Sequence, residues 1–200
     1  ILHQLPSTKH PSNNVFAKIK KDKIPYWLIT GSATDYQLLN TIQANVSIEP
    51  SAKNRNDATA FYNKNFNTFT LDPNTSIKLK RFPPLVVPFG SFKPGAGSTA
   101  LLFQQIGVVE TEYPILSFSE NFDVKSAIFI GDGLWRWKLH DFVENKNHDA
   151  FNEIFTKTIN YLALKSDKRK FRVATAKNLF YEGESVIIEA ELYNQNYELI

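Results

Sequence analysis

Apolar residues recur along this chain in two rhythms, and the alternation between them predicts an α/β fold. Residues 1–5 form a short apolar run ended by Pro6-Ser7-Thr8, and Val15-Phe16-Ala17-Lys18-Ile19 then carries the sparse spacing of a surface helix. Residues 24–31, Ile-Pro-Tyr-Trp-Leu-Ile-Thr-Gly, read as a continuously apolar strand that stops at glycine. Leu38, Leu39 and Ile42 then fall at helical spacing within residues 32–43. A strand without a polar side must be buried on both faces, so this strand–helix–strand–helix order predicts a parallel sheet covered by helices on both sides.

The middle of the chain is less regular. Residues 54–67 alternate polar and aromatic positions around Phe61, Tyr62, Phe66 and Phe69 without a clean period, and are expected to be extended or irregular. Asp72-Pro73 is an N-cap followed by proline in the first turn, which predicts a short helix to about Lys80, ended by Pro83-Pro84. Residues 88–98, rich in proline and glycine, are expected to be a loop. Strand patterns return at 99–106, 108–111, 115–119 and 126–131, several joined tightly enough to be antiparallel. A short helix is expected over 135–143 and a long one over 149–164, with Phe151, Ile154, Phe155, Thr158, Ile159 and Leu162 on the stripe that faces the sheet.

These patterns divide the chain into an α/β domain over residues 1–166, a charged linker over 167–170, and the first strands of a β-sandwich over 171–200. In the last segment Phe171 and Val173, then Val186, Ile188, Ala190 and Leu192, follow the two-residue strand period, with Gly183 in the turn. The chain contains no methionine, so residue 1 is expected not to be a translation start, and the strand-like last residues suggest that the second domain continues.

Composition narrows the chemistry. A net charge of +3 from 23 basic and 20 acidic residues, spread along the chain, is not the concentrated basic face of a nucleic-acid binder, and no nucleic-acid partner is expected. Zero cysteine removes disulfides, thiolate metal sites and thiol nucleophiles together. No apolar run approaches the roughly 20 residues that span a bilayer, so any membrane attachment would come through segments outside this sequence.

The candidate functional turn is Gly131, Asp132, Gly133, Trp135, Arg136 and Trp137, where glycines follow an apolar strand and could bring backbone amides close to an anion. The dinucleotide fingerprint is incomplete, because Arg136 stands where its third glycine would be, and no cofactor is expected. Trp135 and Trp137 are expected to anchor the core. Residues 93–99 place lysine before the glycines and a strand after them, opposite to a phosphate-binding loop. His140, Glu144 and His148 have a spacing that could hold zinc on an unbroken helix, but Asn145-Lys146-Asn147 is expected to break it. His3 and His10 are expected at the surface. No glycine–any–serine–any–glycine elbow occurs, and Ser117 and Ser119 lie in a strand pattern.

The strand and turn 127–137, the helix pair after it, and the segments 171–173 and 189–194 resemble a bacterial envelope family of Bacteroidetes type. Its members carry a flavodoxin-like, class I glutamine amidotransferase-like domain within large membrane-anchored proteins. The resemblance implies a mixed sheet with flanking helices, a periplasmic location, and contacts with other domains of the same protein and with envelope proteins. An active amidotransferase needs a cysteine on an elbow and a late histidine–glutamate pair. This chain has no cysteine, and Gly131-Asp132-Gly133-Leu134-Trp135-Arg136 stands where the histidine is expected. The expectation is therefore a non-catalytic binding or scaffolding module with no catalytic residue and no metal. The alternatives are a hydrolase or metal-dependent site completed by segments outside this sequence, with Asp132, Arg136 and His140 the first residues to test, and carbohydrate or peptide binding through exposed aromatics.

Overall fold

The computed structural model describes residues 1–121, 124–164, 171–175, 181–194 and 200. Their contacts form two units, residues 1–66 with 71–164, and residues 67–70 with 165–200.

The first unit is a sheet with helices on both faces. Its elements in chain order are β1 (Leu2–His3), α1 (Asn13–Lys21), β2 (Tyr26–Ile29), α2 (Tyr36–Ile42), β3 (Val46–Tyr62), α3 (Pro73–Leu79), β4 (Leu85–Pro94), β5 (Thr99–Ile106), β6 (Val109–Asn121), β7 (Val124–Phe129), α4 (Leu134–Asn145) and α5 (Asp149–Ala163). The sheet order is β1-β2-β7-β6-β5-β3-β4. β1, β2 and β7 are parallel, and β7 through β4 pair antiparallel. The sheet is thus mixed, as the strand patterns and the resemblance implied, and its parallel part is limited to three strands.

Side-chain alternation on the central strands sorts the helices. Leu28 of β2 and Ile128 and Ile130 at β7 pack with Phe16 of α1 and Leu39 of α2 on one face. On the other face Trp27 of β2 meets Phe155 of α5 at a ring-centroid distance of 4.7 Å. There Phe129 of β7 also meets Trp137 of α4 at 5.4 Å. Burial on both faces explains why β2 and β7 read as unbroken apolar runs.

Several expectations need correction. Of the loop expected over residues 88–98 only 95–98 form a turn, closed by the Ser98 amide on the Gly95 carbonyl at 3.1 Å, since β4 runs through Pro94 and pairs with β3 from Val46↔Pro94 to Ala58↔Leu85. β4 is an edge strand, where proline removes no ladder bond the sheet needs. Residues 54–62 are extended, as expected, and belong to β3, a 17-residue strand with a register shift between Pro50 and Arg55, after which Arg55 to Ala58 pair with β4 and Thr59 to Tyr62 with β5. The two short strands expected at 108–111 and 115–119 are one strand, β6, whose Pro114 sits opposite Phe103 at an irregularity of the pairing.

The helices fall close to the predicted positions. Asp72 caps α3 through Asn74 N at 2.7 Å with Pro73 beside it. α5 buries Phe151, Ile154, Thr158 and Leu162, but Ile159 is exposed, because it lies about 100° around the helix from Thr158.

The second unit contains β8 (Phe171–Thr175) and β9 (Ile188–Leu192), an antiparallel pair from Phe171↔Leu192 to Thr175↔Ile188. The expected linker over 167–170 lies outside the described residues.

Candidate functional site

The path of the chain singles out one end of the sheet. β2 and β7 are adjacent and parallel, yet α2 leaves β2 toward one face and α4 leaves β7 toward the other. In open α/β sheets, such divergence opens a crevice at the carboxyl ends of the two strands, and ligands bind there. The crevice is bounded here by Thr30–Ala33 after β2 and by Ile130–Gly133 after β7, which is the turn singled out from the sequence.

The chain's own groups close it. The amides of Gly31, Ser32 and Ala33, which could cradle an anion, donate to Thr34 Oγ1 at 3.0 Å, Asp132 Oδ2 at 3.1 Å and Gln4 Oε1 at 3.1 Å respectively. The amide of Gly131 donates to the buried Thr30 Oγ1 at 3.0 Å. Asp132 exchanges two backbone hydrogen bonds with Val86, at 2.9 and 3.0 Å, so the start of β4 runs across the turn. Each amide therefore already has an oxygen, and a ligand would have to displace one.

Gly131 is required by this closure. Its φ of 139° is one that L residues rarely adopt, and a Cβ there would stand 3.0 Å from Leu85 Cβ. At Gly133 the Arg136 side chain folds back over the Cα, so that a Cβ would collide with the guanidinium.

Tyr36 at the start of α2 completes the polar rim. Burial raises its hydroxyl above the ordinary value of 10.0; a hydrogen bond with the Thr30 side chain and the Arg55 guanidinium act against that rise, and the Asp132 carboxylate adds to it. Arg55 reaches the same rim from β3, donating from Nη2 to the Ser32 carbonyl at 3.2 Å.

The two tryptophans of the turn part company. Trp137 is 1% exposed, donates from Nε1 to the Pro83 carbonyl at 2.8 Å and packs on Phe82 and Phe129. Trp135 is 65% exposed, which corrects its expected role as a core anchor. Two residues apart on a helix point about 200° apart, so the pair cannot face one core.

Asp132, Arg136 and His140 are placed near one another in sequence but are not joined: among the described residues, no hydrogen bond or ion pair links any two of them. His140 packs edge-on against Phe82 at 5.9 Å. The spacing His140, Glu144, His148 is broken as expected, because α4 ends at Asn145 and Lys146 turns to φ 58°. His148 then stacks on Phe142 and its Nδ1 meets the Lys138 carbonyl at 3.0 Å. Among the described residues no cluster of three or more metal-ligating side chains occurs. His3 and His10 are exposed, and Ser117 and Ser119 are buried in β6.

The aromatics considered for a stacking platform are engaged with one another. Trp27 is fully buried, Phe61 lies 5.7 Å from Phe103, and Phe66 lies 5.5 Å from Phe118. An open hollow of about 610 Å³ lies instead where the irregular part of β3 faces Pro88–Gly90 of β4, lined in part by Phe89, Phe92 and Tyr113.

Sequence reasoning found the turn after β7 but missed Gln4, Thr30, Ser32, Thr34, Tyr36, Arg55 and Val86, which close it. The available signal was Thr30-Gly31-Ser32 at the end of an apolar strand, a hydroxyl–glycine–hydroxyl run that resembles the turn after β7 in position.

No protein-family model matches this chain, and no curated protein matches it. Among solved structures the chain is similar to the mmIFT52 N-terminal domain, with 13% sequence identity and a TM-score of 0.37 over 76% of this chain and 73% of that one.

Proposed function

We propose that the α/β unit is a non-catalytic binding or scaffolding domain of the flavodoxin-like, class I glutamine amidotransferase-like kind, carried on the periplasmic side of a membrane-anchored bacterial envelope protein. The observation that carries the reading is the closed crevice. The amides of Gly31, Ser32, Ala33 and Gly131 are each taken by an oxygen of the same chain, and Leu85 packs against Gly131. Stabilising an oxyanion needs donors left available at the place where charge develops, and these are committed. The absence of cysteine supports the same reading, since thiolate attack on an amide carbonyl has no nucleophile here.

The test is direct. The purified chain is incubated with glutamine and with simple amides, and released ammonia is measured; the expected result is release equal to that in buffer. Turnover that disappears in Asp132→Ala or His140→Ala would establish the hydrolase alternative instead.

Ligand binding through aromatics is favoured at one place, the hollow beside β3, where Phe89 is 46% exposed. A glycan and peptide screen against the wild-type chain and Phe89→Ala tests it, with hits that vanish in the variant as the supporting result.

A further inference from the structure

The hollow beside β3 is made by a mismatch in strand pairing. Pro50 stands opposite Gly90 and Arg55 opposite Pro88, so residues 51–54 of β3 face Phe89 alone. An irregularity of this kind leaves backbone out of the ladder and re-aims side chains. The space beside it, about 610 Å³, is of the size that holds a small ligand.

One side chain in its lining is short of a partner. Gln104 is 0% exposed, and its amide nitrogen donates to the Pro114 carbonyl at 3.2 Å. A carbonyl only accepts, so the amide nitrogen has to face Pro114, and Gln104 Oε1 is left without a hydrogen bond. Buried acceptors are nearly always satisfied, and one left open costs free energy that a donor on a bound molecule recovers.

The rest of the lining selects the ligand. Phe89 offers an exposed ring, and Phe92 and Tyr113, stacked on each other at 4.9 Å, back the wall. Ser51, Asn56 and Ser91 supply hydroxyls and an amide, groups that both donate and accept. Among the described lining residues Glu49 alone is charged, and its two oxygens already meet Lys93 Nζ at 3.4 Å and the Ser91 hydroxyl at 3.3 Å. An ion of either sign therefore finds no unpaired opposite charge. A peptide adding to β4 as a strand needs backbone donors, and Pro88 has none. A sugar ring meets each requirement, since it has an apolar C–H face for Phe89, hydroxyls that donate and accept, and no net charge.

We propose that this hollow binds a neutral carbohydrate, with Phe89 stacking on a sugar ring and Gln104 Oε1 accepting from one of its hydroxyls. This rests on the reading of the hollow as the place where aromatics take a ligand, and gives that reading a ligand class.

The full chain is screened on an array of neutral, uronate-bearing and sulfated oligosaccharides and of peptides, and the hits are titrated calorimetrically. Neutral sugars are expected to bind, with affinity lower by roughly tenfold or more in Phe89→Ala and by several-fold in Gln104→Leu, and with little dependence on salt. Phe89 is exposed, so its variant is expected to keep the fold, and a thermal melt of each variant checks this. Gln104→Leu separates two roles for the open oxygen: an acceptor filled by the ligand takes affinity with it, whereas one filled by solvent leaves affinity unchanged.

No neutral sugar bound at millimolar concentration, hits confined to charged glycans, or affinity unchanged in either variant would overturn the proposal. Peptide hits that vanish in Phe89→Ala would overturn it too, while leaving the hollow as a binding place. Amide turnover alongside sugar binding removes the non-catalytic reading and leaves the sugar site standing.

Discussion

Gly131→Ala puts a methyl group where the crevice between β2 and β7 is sealed. Gly131 has φ 139°, and an L residue held in so unfavourable a region pays about 1–3 kcal/mol. The added Cβ would lie 3.0 Å from Leu85 Cβ, 3.3 Å from Leu85 Cδ1 and 3.4 Å from Val87 Cγ1. Leu85 and Val87 are both 0% exposed, so neither can swing into solvent, and overpacking adds roughly 1–3 kcal/mol. The expected loss is about 2–6 kcal/mol, which lowers Tm by roughly 2–4 °C for each kcal/mol in a domain of this size.

Urea denaturation followed by circular dichroism measures the loss, and a double-mutant cycle with Leu85→Ala divides it. Leu85→Ala alone should cost about 2–5 kcal/mol through the cavity it leaves. Alanine keeps the Leu85 Cβ at 3.0 Å from the new methyl group but removes Cδ1 at 3.3 Å and leaves room beside it, so the combined loss should fall short of the sum by about 0.5 kcal/mol. The backbone part stays, because removing Leu85 does nothing for φ. Strictly additive losses would mean that the Leu85 side chain beyond Cβ does not press on Gly131, and a Gly131→Ala loss below about 1 kcal/mol would refute the closed crevice.

Asp141→Ala should cost about 2 kcal/mol in the same assay, because the carboxylate, fully buried, accepts from Phe151 N at 3.0 Å and Asn145 Nδ2 at 2.8 Å and so caps α5, whose own N-cap residue His148 makes no side-chain cap bond. Asp141→Asn should recover about half of it, and a loss equal to that of alanine would show that charge rather than geometry matters. Burial of the Tyr161 hydroxyl, with the Glu120 carboxylate adding to it, pushes its pKa up to about 12 from 10.0. The fold thus favours the protonated form: this contribution is present in full below pH 10 and is lost as pH rises through about 12, by about 1–2 kcal/mol once screening of a partly exposed ring is allowed for. Tyr36 shifts in the same direction, so stability measured against pH should fall on the alkaline side, and Tyr161→Phe should flatten the fall; an unchanged profile in that variant would remove Tyr161 as its cause.

Local signals carried the helices and the central strands. Asp72-Pro73 announced α3, the stripe through Phe151, Ile154 and Leu162 announced α5, and the unbroken apolar run at Tyr26–Ile29 announced a strand covered on both faces. Local signals left β3 undefined beyond an extended stretch and failed for β4. Asn54 to Asp57 have no clean period and Pro88 to Pro94 look like loop because their side chains are polar or restricting, whereas what makes β4 a strand is pairing with β3, Pro88 opposite Arg55 and Gly90 to Pro94 opposite Pro50 to Val46, across more than thirty residues of chain. Trp135 shows the complementary error, since an aromatic residue was assigned to the core by type when its neighbour Trp137 had already taken the inward direction.

The candidate turn divides along the same line. From residue order alone came Gly131, Asp132 and Gly133 after an apolar strand, the missing cysteine, and the break at Asn145-Lys146-Asn147, because each is a property of adjacent residues or of composition. Only the fold decided that the amides of Gly31, Ser32 and Ala33 meet Thr34, Asp132 and Gln4, that Val86 spans the turn, and that Trp135 of α4 is exposed. Ser32 and Asp132 are 100 residues apart, and a hydrogen bond over that distance exists only because β2 and β7 lie side by side. Composition says which groups can donate or accept; the order of strands in the sheet says which of them meet.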